Sequence, residues 1–538
     1  MWASPYALSV PLEQVLLRRT VGRDLLMFLL TAGSVQLDRH FAGLKHVLTP
    51  SQMDVLEECA DVLERIAEAN PLDEPSLCLL FLDYLAQRDK HGYTRAEAFR
   101  RKTGGAAVHV GERDQLLRLL LTVGIDAYPL LIGNESGLGP RGLHDNPVGR
   151  PFIRSIRNHP LYAQLIDACR SDRVLGPASG SARFVWRHQP IEVVADPFLV
   201  DPPALPLEIL NGAVGYLAIQ PGAPSLRAFM EAIRRALVSA RRVVRGERID
   251  LHYCLAFSGV SLPEPVVVRT PWGILFPAGV VARGFRPFGS VADLLFVGTV
   301  SATASTANPL PLQTQPSDTR DRPGELIPLA AMLASSDDQL AAPVIEWGAA
   351  IPPLGGLQSW WCPLRVLSEW RRASPPVCSS ALAQWSRTLR DRFDPSLETA
   401  RSRTLRAVAE RIHHEDSLVD AVTAWENVLG GGGETTFRVT GAAACMLEPR
   451  PEERAKRRDA LSQIYDLRSQ IVHGSPREKR PKLWAKLTEL SDSAVVTAVQ
   501  LLRALFRDFD DLIQQESAKR AEALLLGTAG LGEGPPTA

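Results

Sequence analysis

Residues 451–474 read PEERAKRRDALSQIYDLRSQIVHG, and their apolar spacing decides the fold predicted for the C-terminal part of the chain. The apolar residues recur at helical spacing, which predicts an amphipathic helix with one apolar stripe. They are Leu461, Ile464, Tyr465 and Val472. Arg468 falls on the same stripe, where a charge is costly unless it is paired or faces a polar pocket. The stretch therefore predicts a charged partner or a polar pocket beside Arg468.

A histidine and a glycine mark the end of this helix. His473 follows Arg468 by five residues, and Gly474 comes directly after the histidine. Glycine readily adopts the left-handed backbone that ends many helices, so we expect Gly474 to be the cap. His473 then lies at the C-terminus of the helix.

A second amphipathic helix supplies the partner. Residues 416–429 read DSLVDAVTAWENVL and begin with an Asp-Ser pair, which predicts an N-cap. Four apolar residues share one face of this helix: Leu418, Val422, Trp425 and Leu429. Glu426 lies beside that face and is the natural partner of Arg468. A glycine-rich break (430–433) and a short helix (437–447) follow, so we predict an antiparallel helical bundle over residues 380–526.

This part of the chain resembles the HEPN superfamily (higher eukaryotes and prokaryotes nucleotide-binding), in particular its Apea-like branch. The resemblance rests on Ala424–Leu429 (AWENVL), the glycine-rich break and Tyr465–Gly474 (YDLRSQIVHG), which matches the family's R-x4-6-H signature in its x4 form. It implies an all-α HEPN-like bundle that cuts RNA without a metal, usually as a homodimer with two motifs in one cleft. By the same resemblance Arg468 and His473 are the catalytic pair, and Glu426 and Ser469 orient them.

The chemistry of the two residues agrees with that role. Attack of a ribose 2′-hydroxyl on the neighbouring phosphate needs a group that transfers protons near neutral pH, which histidine does. It also needs positive charge on the phosphate oxygens, which a guanidinium supplies through two donors. The sequence offers no cluster of carboxylates and histidines for a catalytic metal, so we expect neither a metal nor another cofactor. A basic rim suited to an RNA backbone surrounds the motif, and its candidate RNA-binding residues are Arg457, Arg458, Arg477, Lys479, Arg480 and Lys482.

The rest of the chain resembles no family that we can name, and its texture predicts an α+β multidomain protein. A mixed α/β N-terminal portion precedes the helical bundle. The predicted divisions are a helical N-terminal region (1–132), a mixed α/β region (133–300), a flexible linker rich in Ser, Thr, Pro, Gln and Asp (301–324), a connector (325–379), the bundle (380–526) and a disordered tail (527–538).

Within the mixed region, residues 224–245 predict an amphipathic helix with five inward residues: Leu226, Phe229, Ile233, Leu237 and Val244. Short apolar runs predict strands at Phe184–Trp186, Ile191–Val194, Ile249–Phe257, Val266–Arg269, Trp272–Phe276 and Leu294–Val300.

Composition narrows the class of protein. The chain has 538 residues, 60 Lys and Arg against 60 Asp and Glu, and 45% hydrophobic residues, so it is globular and carries no overall basic field for nucleic acid. Its 7 cysteines form no C-x-x-C pair, which argues against a disulfide framework or a zinc ribbon. Arg18, Arg19 and Arg23 interrupt the apolar residues near the N-terminus, and no long apolar stretch follows. We therefore expect a cytoplasmic protein with no membrane partner.

Several other features have two interpretations. Arg154…His159 and Arg183…His188 share the spacing of the motif, but neither histidine ends an amphipathic helix. Three further features could bind nucleic acid or join the active site: the arginine run from 234 to 248, Trp360-Trp361, and His413-His414. For the arginine run we favour a solvated helix face, for Trp360-Trp361 an interdomain packing contact, and for His413-His414 a surface pair.

The sequence thus predicts a HEPN-type ribonuclease effector, with antiviral defence implied by the resemblance alone. The N-terminal region then senses a phage or host trigger or restrains the nuclease. The alternative is a catalytically inert HEPN module for interaction or scaffolding in a larger regulatory assembly. An open cleft shared by Arg468, His473 and Glu426 favours the enzyme, and burial of either basic residue favours the scaffold.

Overall fold

The structure is a computed structural model. It describes residues 10–44, 47–69, 73–133, 149–178, 183–187, 198–199, 203–220, 225–263, 266–278, 292–303, 311–314, 323–351, 354, 358–361, 375–430, 435–474 and 481–528. Statements about strands, contacts and sites below refer to these residues.

The N-terminal region is helical. Its helices are α1 Leu12–Val21, α2 Arg23–Leu30, α3 Ser34–Phe41, α4 Pro50–Ala69, α5 Glu74–Ala86, α6 Arg95–Lys102, α7 Gln115–Ala127 and α8 Pro129–Ile132. Asp73, Thr94 and Asp114 cap α5, α6 and α7, because each side chain accepts a hydrogen bond from a backbone N–H of the first turn. Three more helices follow: α9 Gly149–Arg157, α10 Tyr162–Ser171 and α11 Leu175–Ala178.

One sheet contains the nine strands of the described residues. The strands are β1 Arg183–Arg187, β2 Phe198–Leu199, β3 Ile249–Ser258, β4 Val268–Thr270, β5 Gly273–Pro277, β6 Leu294–Thr303, β7 Pro311–Thr314, β8 Val344–Ile351 and β9 Gln358–Trp361. Their order is β2-β1-β7-β6-β3-β8-β9, with β5 also paired to β6 and β4 to β5. All pairs are antiparallel except β1–β7.

The sheet extends past the predicted end of the mixed region. Residues 301–303 end β6 and residues 311–314 form β7, so the predicted linker 301–324 contributes two segments to the sheet. The predicted connector supplies β8, which pairs with β3 over most of its length. Polar composition suggested a linker, but a strand that completes a distant partner's hydrogen bonds needs little apolar sequence of its own. Residues 304–310 and 315–322 lie outside the described residues, as does the predicted strand Ile191–Val194.

Two helices cover the sheet and join it to the N-terminal helices. They are α12 Leu205–Ala218 and α13 Leu226–Val244. A methyl group added at Gly215 would lie 2.9 Å from Cγ2 of Ile351, so α12 approaches β8 closely. On α13, Phe229, Ile233 and Leu237 are buried as predicted, Leu226 and Val244 pack half-buried against the core, and Val243 is buried as well.

The C-terminal part is helical. After α14 Pro323–Ala334, its helices are α15 Ser379–Arg392, α16 Glu398–Ala409, α17 His414–Leu429, α18 Thr435–Leu447, α19 Pro451–Val472, α20 Pro481–Trp484, α21 Leu487–Arg507 and α22 Ser517–Leu525. We call residues 379–525 the C-terminal helical region. The protein is therefore a mixed α+β chain with a helical C-terminal region. The predicted tail lies outside the described residues from residue 529 onward.

Candidate active site

Helix α17 presents Glu426. Its four predicted stripe residues, Leu418, Val422, Trp425 and Leu429, are fully buried, and the indole N–H of Trp425 donates to the carbonyl of Ala494 on α21 at 3.2 Å. The predicted Asp-Ser cap is wrong, because the helix begins two residues earlier, at His414. His413 is the N-cap residue and its side chain makes no capping hydrogen bond.

Helix α19 presents Arg468 and ends at the histidine. Leu461, Ile464 and Tyr465 are buried as predicted, but Val472 is 50% exposed. Leu467 is buried and Ile471 contacts the core, so the buried side is rotated by about one residue from the predicted stripe.

Glu426 and Arg468 form the predicted ion pair. Nη2 of Arg468 lies 3.1 Å from Oε2 of Glu426, and the two side chains are 21% and 24% exposed. The pair therefore joins α17 to α19 at the edge of the core and relieves the charge on each apolar stripe. Because both side chains stay partly exposed, the guanidinium remains within reach of a ligand.

Tyr465 is a third member of this site that the sequence did not reveal. Its hydroxyl donates to Oε1 of Glu426, the oxygen that Arg468 does not use. Burial, together with the hydrogen bond to the Glu426 carboxylate, raises the pKa of Tyr465. Its position on the apolar stripe suggested only packing, whereas a tyrosine on such a stripe also carries a hydroxyl that needs a partner.

Two buried polar atoms of α19 have no partner among the described residues. They are Nε of Arg468 and Oε1 of Gln470. A buried polar atom without a hydrogen-bond partner costs about 1–3 kcal/mol of stability. Such an atom in a folded protein therefore calls for an explanation, for example a ligand that supplies the missing partner.

His473 is exposed at the end of α19. Its backbone N–H donates to the carbonyl of Ser469 at 3.0 Å, and Gly474 follows with a φ of 63°, so the predicted left-handed cap is confirmed. In a regular helix, residues five apart are separated by about 7.5 Å along the axis and about 140° around it. Arg468 and His473 thus leave the helix in different directions.

The remaining candidate residues differ in their surroundings. Ser469 is half-buried next to the pair, and Lys482 is exposed on α20. Arg457 donates to Thr497 at 3.2 Å and to Gln500 at 2.9 Å, so it connects α19 to α21. Arg458 bonds the adjacent Asp459 at 2.8 Å. Arg477, Lys479 and Arg480 lie outside the described residues.

The other features that the sequence offered as possible sites lie in the following surroundings, where the structure describes them. The buried His159 donates through Nε2 to Asp126 at 3.1 Å and accepts through Nδ1 from the N–H of Leu161. In the arginine run, Arg234 pairs with Glu112 and Arg241 with Asp114 and Asp172. Trp360 and Trp361 lie in the edge strand β9. His188 lies outside the described residues.

Behind the pair, a buried arginine holds the end of α17. Arg520 on α22 is fully buried, and its guanidinium donates to the carbonyls of Leu512, Ile513 and Val428 at 3.0, 3.0 and 3.3 Å, and to Oγ of Ser396 at 2.9 Å. Because Val428 lies in the last turn of the helix that carries Glu426, Arg520 holds the backbone two residues beyond the carboxylate. Nothing in the surrounding polar sequence SAKRAEA indicated a buried residue.

Among the described residues, no group of three or more His, Cys, Asp or Glu side chains could hold a metal ion. No helix of the described residues has the length and apolar character needed to cross a membrane. Comparison with models of protein families, with curated proteins and with solved structures finds no match to this chain.

Proposed function

We propose that the C-terminal helical region is a HEPN-like bundle that acts as a metal-independent endoribonuclease. The observation that carries the proposal is the ion pair of Arg468 with Glu426 on the helix that ends at the exposed His473. Glu426 holds Nη2, whereas Nη1 of Arg468 has no partner among the described residues. A guanidinium held at one nitrogen keeps the other free for a phosphate oxygen.

The proposed reaction needs only these side chains and the RNA. His473 accepts the proton of a ribose 2′-hydroxyl, and the oxygen attacks the adjacent phosphorus. Arg468 stabilises the negative charge on the phosphorane oxygens. The bond to the 5′-oxygen then breaks, and this oxygen takes a proton from a protonated histidine. The products are a 2′,3′-cyclic phosphate and a free 5′-hydroxyl. Ser469 and Glu426 orient the arginine.

The proposed assembly is a homodimer. Arg468 and His473 leave α19 about 140° apart, so one copy presents them to different sides of the helix. Two copies related by a two-fold axis at the end of α19 bring the arginine of one beside the histidine of the other and supply the second proton-transferring histidine. Light scattering is expected to detect a dimer. RNA cleavage by a protein that stays monomeric would contradict the proposal that two copies form one active-site cleft.

The wider biological setting follows from the resemblance alone. The proposed enzyme is a cytoplasmic effector of bacterial antiviral defence, in the manner of a toxin. A phage or host trigger acts on the N-terminal region. Among the rim residues, Lys482 and Arg458 reach the surface and are the described candidates for RNA backbone contact, whereas Arg457 is committed to α21.

The test compares wild type, His473→Ala and Arg468→Lys on total RNA in EDTA. We expect wild type to cleave and to leave cyclic-phosphate ends, and we expect either variant to lose at least about a hundredfold in rate. His413→Ala is the matched control, because His413 is also an exposed histidine at a helix end, the N-cap position of α17. Wild-type cleavage by folded His473→Ala, or loss of activity on chelation, would contradict the proposal.

The second candidate is an inert interaction module. One observation favours it: both Glu426 oxygens are already occupied, by Tyr465 and Arg468, so the three side chains also make sense as a contact between α17 and α19. An inert module gives no cleavage in any of the variants above while the protein remains folded.

A further inference from the structure

A cavity lies where the sheet-bearing part of the chain meets the C-terminal helical region. Its volume is about 580 Å³, within the range of small-molecule sites. One side is formed by Gly259 after β3 and by residues 337–342, and the other by residues 407–409, 411, 412, 414 and 417 and by 491, 492, 495 and 496 on α21. The cavity lies at the N-terminal end of α17, whereas Glu426 lies near its C-terminal end.

The inner wall presents unpaired hydrogen-bond donors. Ser417 is only 5% exposed and lines the cavity, yet its hydroxyl has no hydrogen-bond partner among the described residues. Arg411 gives Nε to the buried Asp420 at 2.6 Å, which leaves both Nη atoms without a described partner. Asp420 also pairs with Arg403, so two arginines share this one buried carboxylate. The first turn of α17 adds backbone N–H groups that no side chain of the N-cap residue satisfies.

The mouth of the cavity presents carboxylates. The side chain of Asp492 is 71% exposed, and its only charged neighbour in the described residues is Nδ1 of His414 at 4.0 Å. Asp338 is exposed and has no ion-pair partner among the described residues. Asp337, the third carboxylate, is neutralised by Arg503. Negative charge at the opening disfavours a polyanion such as a nucleotide and attracts a cation.

The rest of the cavity wall is apolar. It consists mainly of small or branched residues, including Ala341, Ala342, Ala407, Val495 and Ile412, the last exposed at the rim. A ligand that matches all three parts carries an anionic group for the inner wall, a cationic group that faces the mouth and an apolar side chain.

We propose that this cavity binds a free α-amino acid with an apolar side chain. The ligand carboxylate accepts hydrogen bonds from the Arg411 guanidinium, the Ser417 hydroxyl and the N-terminus of α17. Its ammonium group lies toward Asp338 and Asp492, and its side chain contacts the alanine and valine wall. This site is independent of the proposed ribonuclease activity.

Isothermal titration calorimetry on the full chain tests the site with L-leucine, L-valine and L-phenylalanine. We expect saturable binding of at least one of them, with a dissociation constant below about 1 mM. For leucine, 4-methylpentanoate lacks the amine and 3-methylbutylamine lacks the carboxylate. Each of these analogues is expected to bind at least about tenfold more weakly than the amino acid.

Two variants locate the binding. Ser417→Ala removes the inner hydroxyl, and Asp492→Asn removes an exposed charge at the mouth without disturbing the core. Both are expected to weaken binding by at least about fivefold. Asp391→Asn on α15, which makes the same change in charge away from the cavity, is the control and is expected to bind as wild type. No binding of any of the three amino acids at about 10 mM, one-charge analogues that bind equally well, or full affinity in both variants would overturn the proposal.

Discussion

Glu426 accepts hydrogen bonds from two residues of one neighbouring helix, and the two donors differ in kind. The phenol of Tyr465 is neutral and rigid, whereas the guanidinium of Arg468 is charged and sits on a long side chain. Since Tyr465 occupies one carboxylate oxygen, only the other is left for Arg468. The tyrosine thereby restricts where the guanidinium lies, and we regard it as a positioning residue for Arg468 in the proposed reaction.

Tyr465→Phe is expected to change how stability depends on pH. Burial and the Glu426 carboxylate raise the pKa of Tyr465 in the folded protein. A raised folded pKa gives stability that is fully present below the unfolded value, about 10 for tyrosine, and is lost as the pH rises above it. Wild type should therefore be more stable than Tyr465→Phe at about pH 8, by about 1–2 kcal/mol, and should lose that advantage at higher pH. Urea unfolding measured across this pH range checks the difference.

Tyr93→Phe is the control for that measurement. Tyr93 is exposed and stacks on Arg101, so Tyr93→Phe removes a hydroxyl at the surface, and we expect it to change stability less than Tyr465→Phe does. If Tyr465→Phe and wild type differ equally at all pH values, the hydrogen bond to Glu426 does not perturb the titration of the tyrosine.

At the scale of elements, the C-terminus of α17 is held by a side chain from α22. The guanidinium of Arg520 satisfies carbonyls at the end of α17 and in the 3-10 turn near residues 510–513, and burial lowers its pKa. A helix end that is buried needs such partners, because its last carbonyls have none within the helix. Arg520 therefore replaces a cap with a contact between two distant elements.

Arg520→Leu is expected to lower the free energy of unfolding by about 2–3 kcal/mol, because it leaves several buried carbonyls without donors. The gain from removing a buried charge offsets only part of that loss. Lys519→Leu, on the exposed side of the same turn, should change stability by less than about 0.5 kcal/mol. Guanidinium unfolding of both variants checks the prediction, and equal effects would show that the contacts of Arg520 carry no net stability.

The helices of this region were predictable from sequence because their apolar residues repeat at a local spacing. That spacing gave α17 and α19 and, through one misplaced charge on each, the ion pair of Glu426 with Arg468. The hydroxyl of Tyr465 and the buried guanidinium of Arg520 were missed, because the sequence around each residue does not show which carboxylate or carbonyl groups the fold brings to it. The strands at 311–314 and 344–351 were missed for the same reason, since pairing with β6 and β3 decides them rather than their own composition.

At the scale of the whole molecule, the sheet-bearing part and the C-terminal helical region share polar contacts as well as core. Arg503 on α21 donates to the carbonyl of Leu333 at 2.9 Å, to the carbonyl of Ser335 and to Asp337. Gln500, one turn earlier, donates to the other oxygen of Asp337 at 2.7 Å and accepts from Arg457 of α19. A continuous chain of hydrogen bonds thus runs from α19 to the end of α14, next to the cavity. These hydrogen bonds therefore connect the two parts mechanically.

Arg503→Met should weaken this connection while it keeps most of the apolar stem of the side chain. It removes the donors for two carbonyls and leaves Asp337 with Gln500 alone, so we expect a loss of about 2–3 kcal/mol. Because the lost contacts join two parts of the chain, thermal unfolding should also broaden or split into two transitions. Arg507→Met is the matched control: Arg507 lies four residues further along α21, is largely exposed and, among the described residues, pairs only with the adjacent Asp508. If calorimetry gives one sharp transition at the wild-type temperature for Arg503→Met, the two parts are held together by their apolar contacts alone.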